Sequence, residues 1–212
     1  MRRSVGVDID DLLASITRPV AVDELSERIL DAASELFATI GVRRTGVEDI
    51  AERSGLGRTT VYRRFEGRQQ IVEAVLAREV HRFFGSILRS TAHLDRFEDV
   101  VIESFLTGMQ ATEASLLATL VRAEPDLLQL MTIDAGPMVS AAREFLVDAY
   151  RATHDEPGSA LATDHVAMFA ELLVRLAISL VLTPQTVIPV GDDDESRAVL
   201  HRLLDPLIAQ FA

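Results

Sequence analysis

Apolar residues recur along this chain at intervals of three and four, the spacing that lines one face of a helix. Leu25, Ile29, Ala33, Leu36, Phe37 and Ile40 make the first stripe, opened by Asp23, a good N-cap, and closed by Gly41. A shorter stripe of Val47, Ile50 and Ala51 follows Thr45-Gly46, where Thr45 and Glu48 stand at capping-box spacing, and it stops at Ser54-Gly55. Past a tight turn at Gly55-Leu56, a third helix is predicted over residues 58–65, with Val61 and Phe65 four apart and buried beside Leu56. Residues 68–90 read as one long helix with Val72, Val75, Leu76, Val80, Phe83 and Ile87 on its inner side. Further helices are expected over residues 95–113, 115–123, 126–133, 137–153, 161–183 and 195–211, divided by Glu124-Pro125, Gly136-Pro137, Glu156-Pro157-Gly158 and the stretch 184–194. No segment alternates like a strand between hairpin turns, so the fold class is all-α.

The three short helices meet the demands of a helix-turn-helix: a short first helix, a glycine-permitted turn, and a second helix with apolar residues behind and polar residues in front. With Val61 and Phe65 turned inward, Arg58, Thr59, Thr60, Tyr62 and Arg63 face out. Arg58 and Thr59, near the helix N-terminus, suit base edges. Tyr62 and Arg63 lie where phosphate oxygens would be.

Charge sharpens this reading. The net charge of −12 argues on its face against a polyanion partner. Residues 1–42 carry −4 and residues 71–212 carry −11, whereas residues 43–70 hold seven arginines against four acids, +3. Cationic charge is thus concentrated on the helix-turn-helix of an acidic molecule, the asymmetry of a local nucleic-acid contact.

Composition excludes several alternatives. At 48% apolar and 25% charged residues, the 212-residue chain is an ordinary globular protein of one large domain, or a small one joined to a larger. The absence of cysteine removes disulfides, thiolate metal sites and thiol chemistry. His81, His93, His154, His165 and His201 are scattered without metal-ligand spacing, and no nucleophile elbow or phosphate-cradling loop occurs, so neither metal, cofactor nor catalytic set is expected. Asp8, Asp10 and Asp11 ahead of a short apolar patch are wrong for a secretory signal, which makes the cytoplasm the expected location. Residues 166–183 contain Glu171 and Arg175 and fall short of the roughly 20 uncharged residues of a bilayer span, so no membrane partner is expected. The acidic run at residues 192–195 reads as support for the N-terminal dipole of the last helix.

The window ILDAASELFATIGVRRTGVEDIAERSGLGRTTVYRRFEGRQQIVEAVL, from residue 29, resembles the DNA-binding domain of the tetracycline-repressor (TetR) family. The resemblance rests on the ILDAASELF first helix, Gly41, Ile50-Ala51, Gly55, and Thr60, Tyr62 and Phe65 in that order and spacing. Gly46 stands where the family usually has Ser or Thr, Arg64 replaces a usual histidine, and Gly67-Arg68-Gln69-Gln70 replaces a common Ser-Lys-Glu segment.

The resemblance implies a flexible N-terminal arm (1–22), a DNA-binding domain (23–67) and a helical effector-binding and dimerisation domain (68–212). The DNA-facing set becomes Arg43, Thr45, Gly46, Arg58, Thr59, Thr60, Tyr62, Arg63 and Arg68. An effector cavity would be walled by Phe84, Phe105, Met109, Leu120, Met131, Met138, Phe145, Met168 and Phe169. Leu172, Leu176, Ser179, Leu180, Leu200, Leu203, Leu204, Leu207 and Phe211 would pair with a second copy. The implied function is a homodimeric repressor, released from a palindromic operator in double-stranded DNA by a small, mostly apolar effector. An activator on the same scaffold, and an all-α enzyme or ligand carrier with a vestigial helix-turn-helix, fit the same residues.

Overall fold

The computed structural model describes residues 23–113, 116, 129, 132–133, 135–153 and 160–210. Among these the chain is helical throughout, with no strand. The elements are α1 (Glu24–Ile40), a 3₁₀ turn (Val42–Arg44), α2 (Val47–Ser54), α3 (Arg58–Arg64), α4 (Arg68–Thr91), α5 (Phe97–Glu113), α6 (Gly136–Thr153), α7 (Ala160–Leu182) and α8 (Asp194–Ile208). The arm at residues 1–22 lies outside the described residues, as do almost all of the helices predicted over 115–123 and 126–133.

The described residues form two compact units, one holding residues 23–82 with 116 and 129, the other residues 83–113, 132–133, 135–153 and 160–210. The first unit therefore keeps the opening turns of α4 rather than stopping at residue 67. The cause is burial: Ile71, Val72, Val75 and Leu76 are as buried as Ile29, Phe37, Ile50 and Val61. Three helices this short cannot enclose a core alone, and the apolar stripe of α4 completes it.

Arginines stitch that unit together. Arg78, almost buried, donates to Glu27 at 2.9 Å, to Asp31 at 2.8 Å and to the Ser34 hydroxyl at 2.8 Å, tying α4 to α1. Arg28 donates to the Ser54 carbonyl at 2.8 Å, satisfying an end group of α2 that has no partner within its own helix.

In the second unit α5 packs against α6, α7 and α8, and α6 against α7. Ile102 and Leu106 of α5, Val166 and Ala170 of α7, and Leu200 and Ile208 of α8 are buried in its core. The rings of Phe97 and Tyr150 stack edge to face there, their centroids 5.2 Å apart. Asp193 caps α8 by accepting from the Ser196 N–H at 2.7 Å, so the acidic run serves the helix N-terminus as expected.

Within α7, Thr163–Leu182 is long and apolar enough to cross a membrane, longer than the sequence expectation allowed. Val166, Ala170 and Leu173 are buried in the core of the unit, and Glu171 pairs with Arg175 at 2.8 Å and with Arg143 of α6 at 3.7 Å.

Candidate nucleic-acid interface

The turn between α2 and α3 is built by the backbone. Gly55 sits at φ +67°, the left-handed region that a side chain resists, and its N–H donates to the Glu52 carbonyl at 3.1 Å. The Leu56 N–H reaches back to the Ala51 carbonyl at 3.0 Å, completing a Schellman stop. Gly57 then opens α3, its carbonyl accepting from Thr60 at 2.8 Å and Val61 at 3.2 Å. With Val61 and Phe65 buried, the helix presents Arg58, Thr59, Tyr62 and Arg63 to solvent, and Thr60 is half-buried. Four of the five positions expected to face out on this helix are therefore exposed.

The helix before the turn starts differently from expectation. Thr45 and Glu48 do not form a capping box, because Thr45 is spent on the 3₁₀ turn: its hydroxyl donates to the Gly41 carbonyl at 2.9 Å and its N–H to Val42 at 3.3 Å. Asp49 supplies the cap instead, accepting from the Gly46 N–H at 2.7 Å. Thr45 is 1% exposed, so its side chain presents nothing to DNA, and the Gly46 N–H is already used.

Arg68 is likewise engaged within the protein. Its guanidinium donates to the Thr45 carbonyl at 2.8 Å and to the Val42 carbonyl, clamping the start of α4 onto the segment that launches α2. Through Nε and Nη2 it positions the start of α2. Arg64 pairs with Asp23, the carboxylate that caps α1 by accepting from the Ser26 N–H at 3.0 Å. Arg53 pairs with Glu35 of α1, and Arg58 with Glu48 of α2. Arg43 is exposed beside Arg44, which the sequence-derived set omits. Arg44 and Arg63 are exposed and have no ion-pair partner among the described residues. The one signal for Arg44 in the sequence is its place in the basic window.

Residues 29–75 match the family model for bacterial regulatory proteins of the tetR family, and residues 99–206 match that for the C-terminal domain of the bacterial tetracyclin repressor. The second match alone covers half the chain. The chain belongs to the TetR family. It is a DNA-binding transcriptional regulator and not an enzyme.

This TetR regulator is 29% identical over 187 residues to the HTH-type transcriptional regulator AlkX of Mycobacterium tuberculosis, covering 86% of this chain and 84% of that one. Its fold matches the TetR family repressor AlkX from Dietzia sp. strain DQ12-45-1b, implicated in biodegradation of n-alkanes, with a TM-score of 0.56 and 25% identity over 87% of this chain and 98% of that one. A transcriptional regulator from Cytophaga hutchinsonii shares the fold at a TM-score of 0.57 and 18% identity, covering 89% and 97% of the two chains.

The residues expected at a cavity and a dimer interface of this TetR regulator divide by burial. Phe105 and Phe169 lie in the core of the second unit, and Met109 and Phe145 pack half-buried against it. Phe84 is half-buried and edge-to-face with Phe83, their ring centroids 5.2 Å apart, and Met138 is half-buried. Met168 is 57% exposed, on the face of α7 that also carries Leu172 and Leu176, so it does not line the interior. Leu120, Met131 and Phe211 lie outside the described residues. Of the residues expected to meet a second copy, Leu172, Leu176, Ser179, Leu203 and Leu207 are exposed. Leu180, Leu200 and Leu204 are buried in the core of their own chain, because their helix faces point toward it.

Proposed function

We propose that this TetR regulator is a homodimeric cytoplasmic repressor, released from a palindromic operator when a small, mostly apolar molecule binds its C-terminal helices. The likeness to the Dietzia repressor carries the reading, since it spans 87% of the chain and that protein is implicated in biodegradation of n-alkanes. Two features of the chain support it. Arg58, Thr59, Tyr62 and Arg63 stand exposed on α3, and apolar side chains stand exposed on α7 and α8, as a second copy requires.

A two-fold dimer presents two copies of α3 about 34 Å apart, one turn of DNA, and so reads an inverted repeat. In this reading Arg58 and Thr59 meet base edges, while Tyr62, Arg63 and Arg44 meet phosphates. Arg43 joins the phosphate contacts. Because α4 runs unbroken from the DNA-binding unit into the second unit, a ligand that favours one arrangement of the second unit biases the other through it.

Selection of bound fragments from the organism's own genomic DNA by the purified protein tests the proposal. The expected sites are inverted repeats with half-site centres about 10 base pairs apart. Titrating n-alkanes of graded length, and the matching fatty acids, onto the bound fragment is expected to release it. Deleting the gene is expected to raise reporter output from the selected promoters. A fall in output identifies an activator instead, and ligand affinity without retention on DNA at low salt identifies a carrier.

A further inference from the structure

We propose that Glu48 is a positioning residue for DNA recognition: it holds Arg58 in the orientation that reads a base, from a seat that Gly46 leaves open. The inference rests on the reading of Arg58 as a base contact.

Glu48 lies in the first turn of α2 and Arg58 is the first residue of α3. The Arg58 Nη2 pairs with the Glu48 Oε1 across the turn, with the two side chains 60% and 56% exposed. The other carboxylate oxygen of Glu48 folds over Gly46, 3.4 Å from where a Cβ would stand, and Asp49 Oδ2 crowds the same point at 3.3 Å. A Cβ at position 46 asks the Asp49 carboxylate to give by a few tenths of an ångström and meets the Glu48 carboxylate at the edge of ordinary contact. Glycine at position 46 therefore leaves the Glu48 carboxylate unhindered beside Arg58.

An ion pair this exposed contributes little to folding, so stability does not account for it. A carboxylate beside a surface that meets a polyanion also opposes binding to phosphate in general. What the pair does accomplish is restriction. A long arginine side chain is confined before DNA arrives, and less freedom is lost on binding. Chemistry permits both contacts at once: a guanidinium has five N–H donors, a bidentate contact to guanine uses two, and a carboxylate can take another. Glu48 thus lowers affinity for all DNA and raises discrimination at the base Arg58 meets.

Selection from a random duplex library, with full-length wild type, R58A, E48A, E48Q and G46S, tests this. Affinity for a non-cognate duplex and the thermal unfolding midpoint are measured alongside. R58A is expected to flatten the preference at one base pair in each half-site. E48A is expected to weaken preference at that same base pair about 3- to 10-fold, tighten non-cognate binding about 2- to 5-fold, and leave the unfolding midpoint in place. E48Q, which keeps an acceptor oxygen, recovers part of the preference, and G46S loses part of it. The proposal is overturned if R58A flattens a position that E48A leaves intact. It is also overturned if E48A changes a different base pair, which makes Glu48 itself a reader of a cytosine amino group. If R58A changes no preference at all, the base-reading role of Arg58 fails first and takes the proposal with it.

Discussion

Leu203 and Leu204 are consecutive residues of α8, yet Leu204 is 9% exposed, in the core, and Leu203 is 53% exposed. One residue is about 100° of helix rotation. Leu200, Leu204 and Ile208 form the buried row, in the core that α8 shares with α5. Leu203 and Leu207 form a second row turned to solvent, and α7 repeats the arrangement with Met168, Leu172 and Leu176. Large apolar rows of this kind mark a surface that another molecule covers.

The two leucines are therefore expected to fail differently. Leu203→Glu shifts sedimentation from dimer to monomer and leaves helix content, by circular dichroism, intact. Leu204→Ala leaves a cavity and lowers unfolding free energy by about 2–5 kcal/mol in urea titrations. Equal loss of folding in both variants contradicts the assignment of Leu203 to an interface.

Arg68 joins α4 to the start of α2 through two backbone carbonyls. Arg68→Ala is expected to destabilise the free protein by about 1.5–3 kcal/mol, the scale of charge-assisted hydrogen bonds. A urea titration without DNA reads this directly. An Arg68 that acted only on phosphate would leave that titration unchanged.

Tyr62 and Arg63 stand exposed on α3, and the proposed function assigns them to phosphates. Tyr62→Phe and Arg63→Ala are expected to weaken operator and non-cognate DNA alike. For Arg63→Ala the slope of log K against log salt becomes shallower by about 1. Loss of preference at a particular base pair would reassign either residue to base reading.

Acid is expected to act through the helix caps. Hydrogen bonds from the Ser26 hydroxyl and N–H, with Arg64 adding to them, hold the Asp23 carboxyl below its ordinary 3.8. The Ser196 N–H and hydroxyl hold Asp193 below the same value. A carboxyl whose pKa is lowered in the folded state contributes stability above its unfolded value, and that contribution is lost as pH falls through the folded one. Urea titrations are thus expected to show stability declining below about pH 4, with a shallower decline in Asp193→Asn. An unchanged slope in that variant removes the cap from the acid response.

Gly108 lies inside α5, and a Cβ there would meet the Phe83 ring at 3.5 Å and Ile87 at 3.7 Å, ordinary contact distances. Glycine in a helix interior costs about 1 kcal/mol relative to alanine. Gly108→Ala is accordingly expected to stabilise the protein by about that amount in urea titrations. A loss of stability would mean that the packing around Phe83 has no room to give.

Local chemistry was legible along the chain. Helical spacing, Asp23 as a cap, Gly55 as a stop, and the burial of Val61 and Phe65 depend on residues a few positions apart, and the all-α class and the polar outer face of α3 follow from them. Which face of α3 carries Arg58, Thr59, Tyr62 and Arg63 is a matter of period alone. The resemblance of residues 29–76 to the TetR family rested on the same short-range order of residues.

Only the tertiary structure decided how each side chain is used. Thr45 and Arg68 look like DNA contacts in the sequence, but the first is folded into a turn and the second holds two carbonyls 23 and 26 residues away. Leu203 and Leu204 are indistinguishable as letters, and the packing of α8 in the core of the second unit separates them. Spacing within a helix specifies which residues share a face. What that face meets depends on elements brought near by folding, and no neighbour in the chain records it.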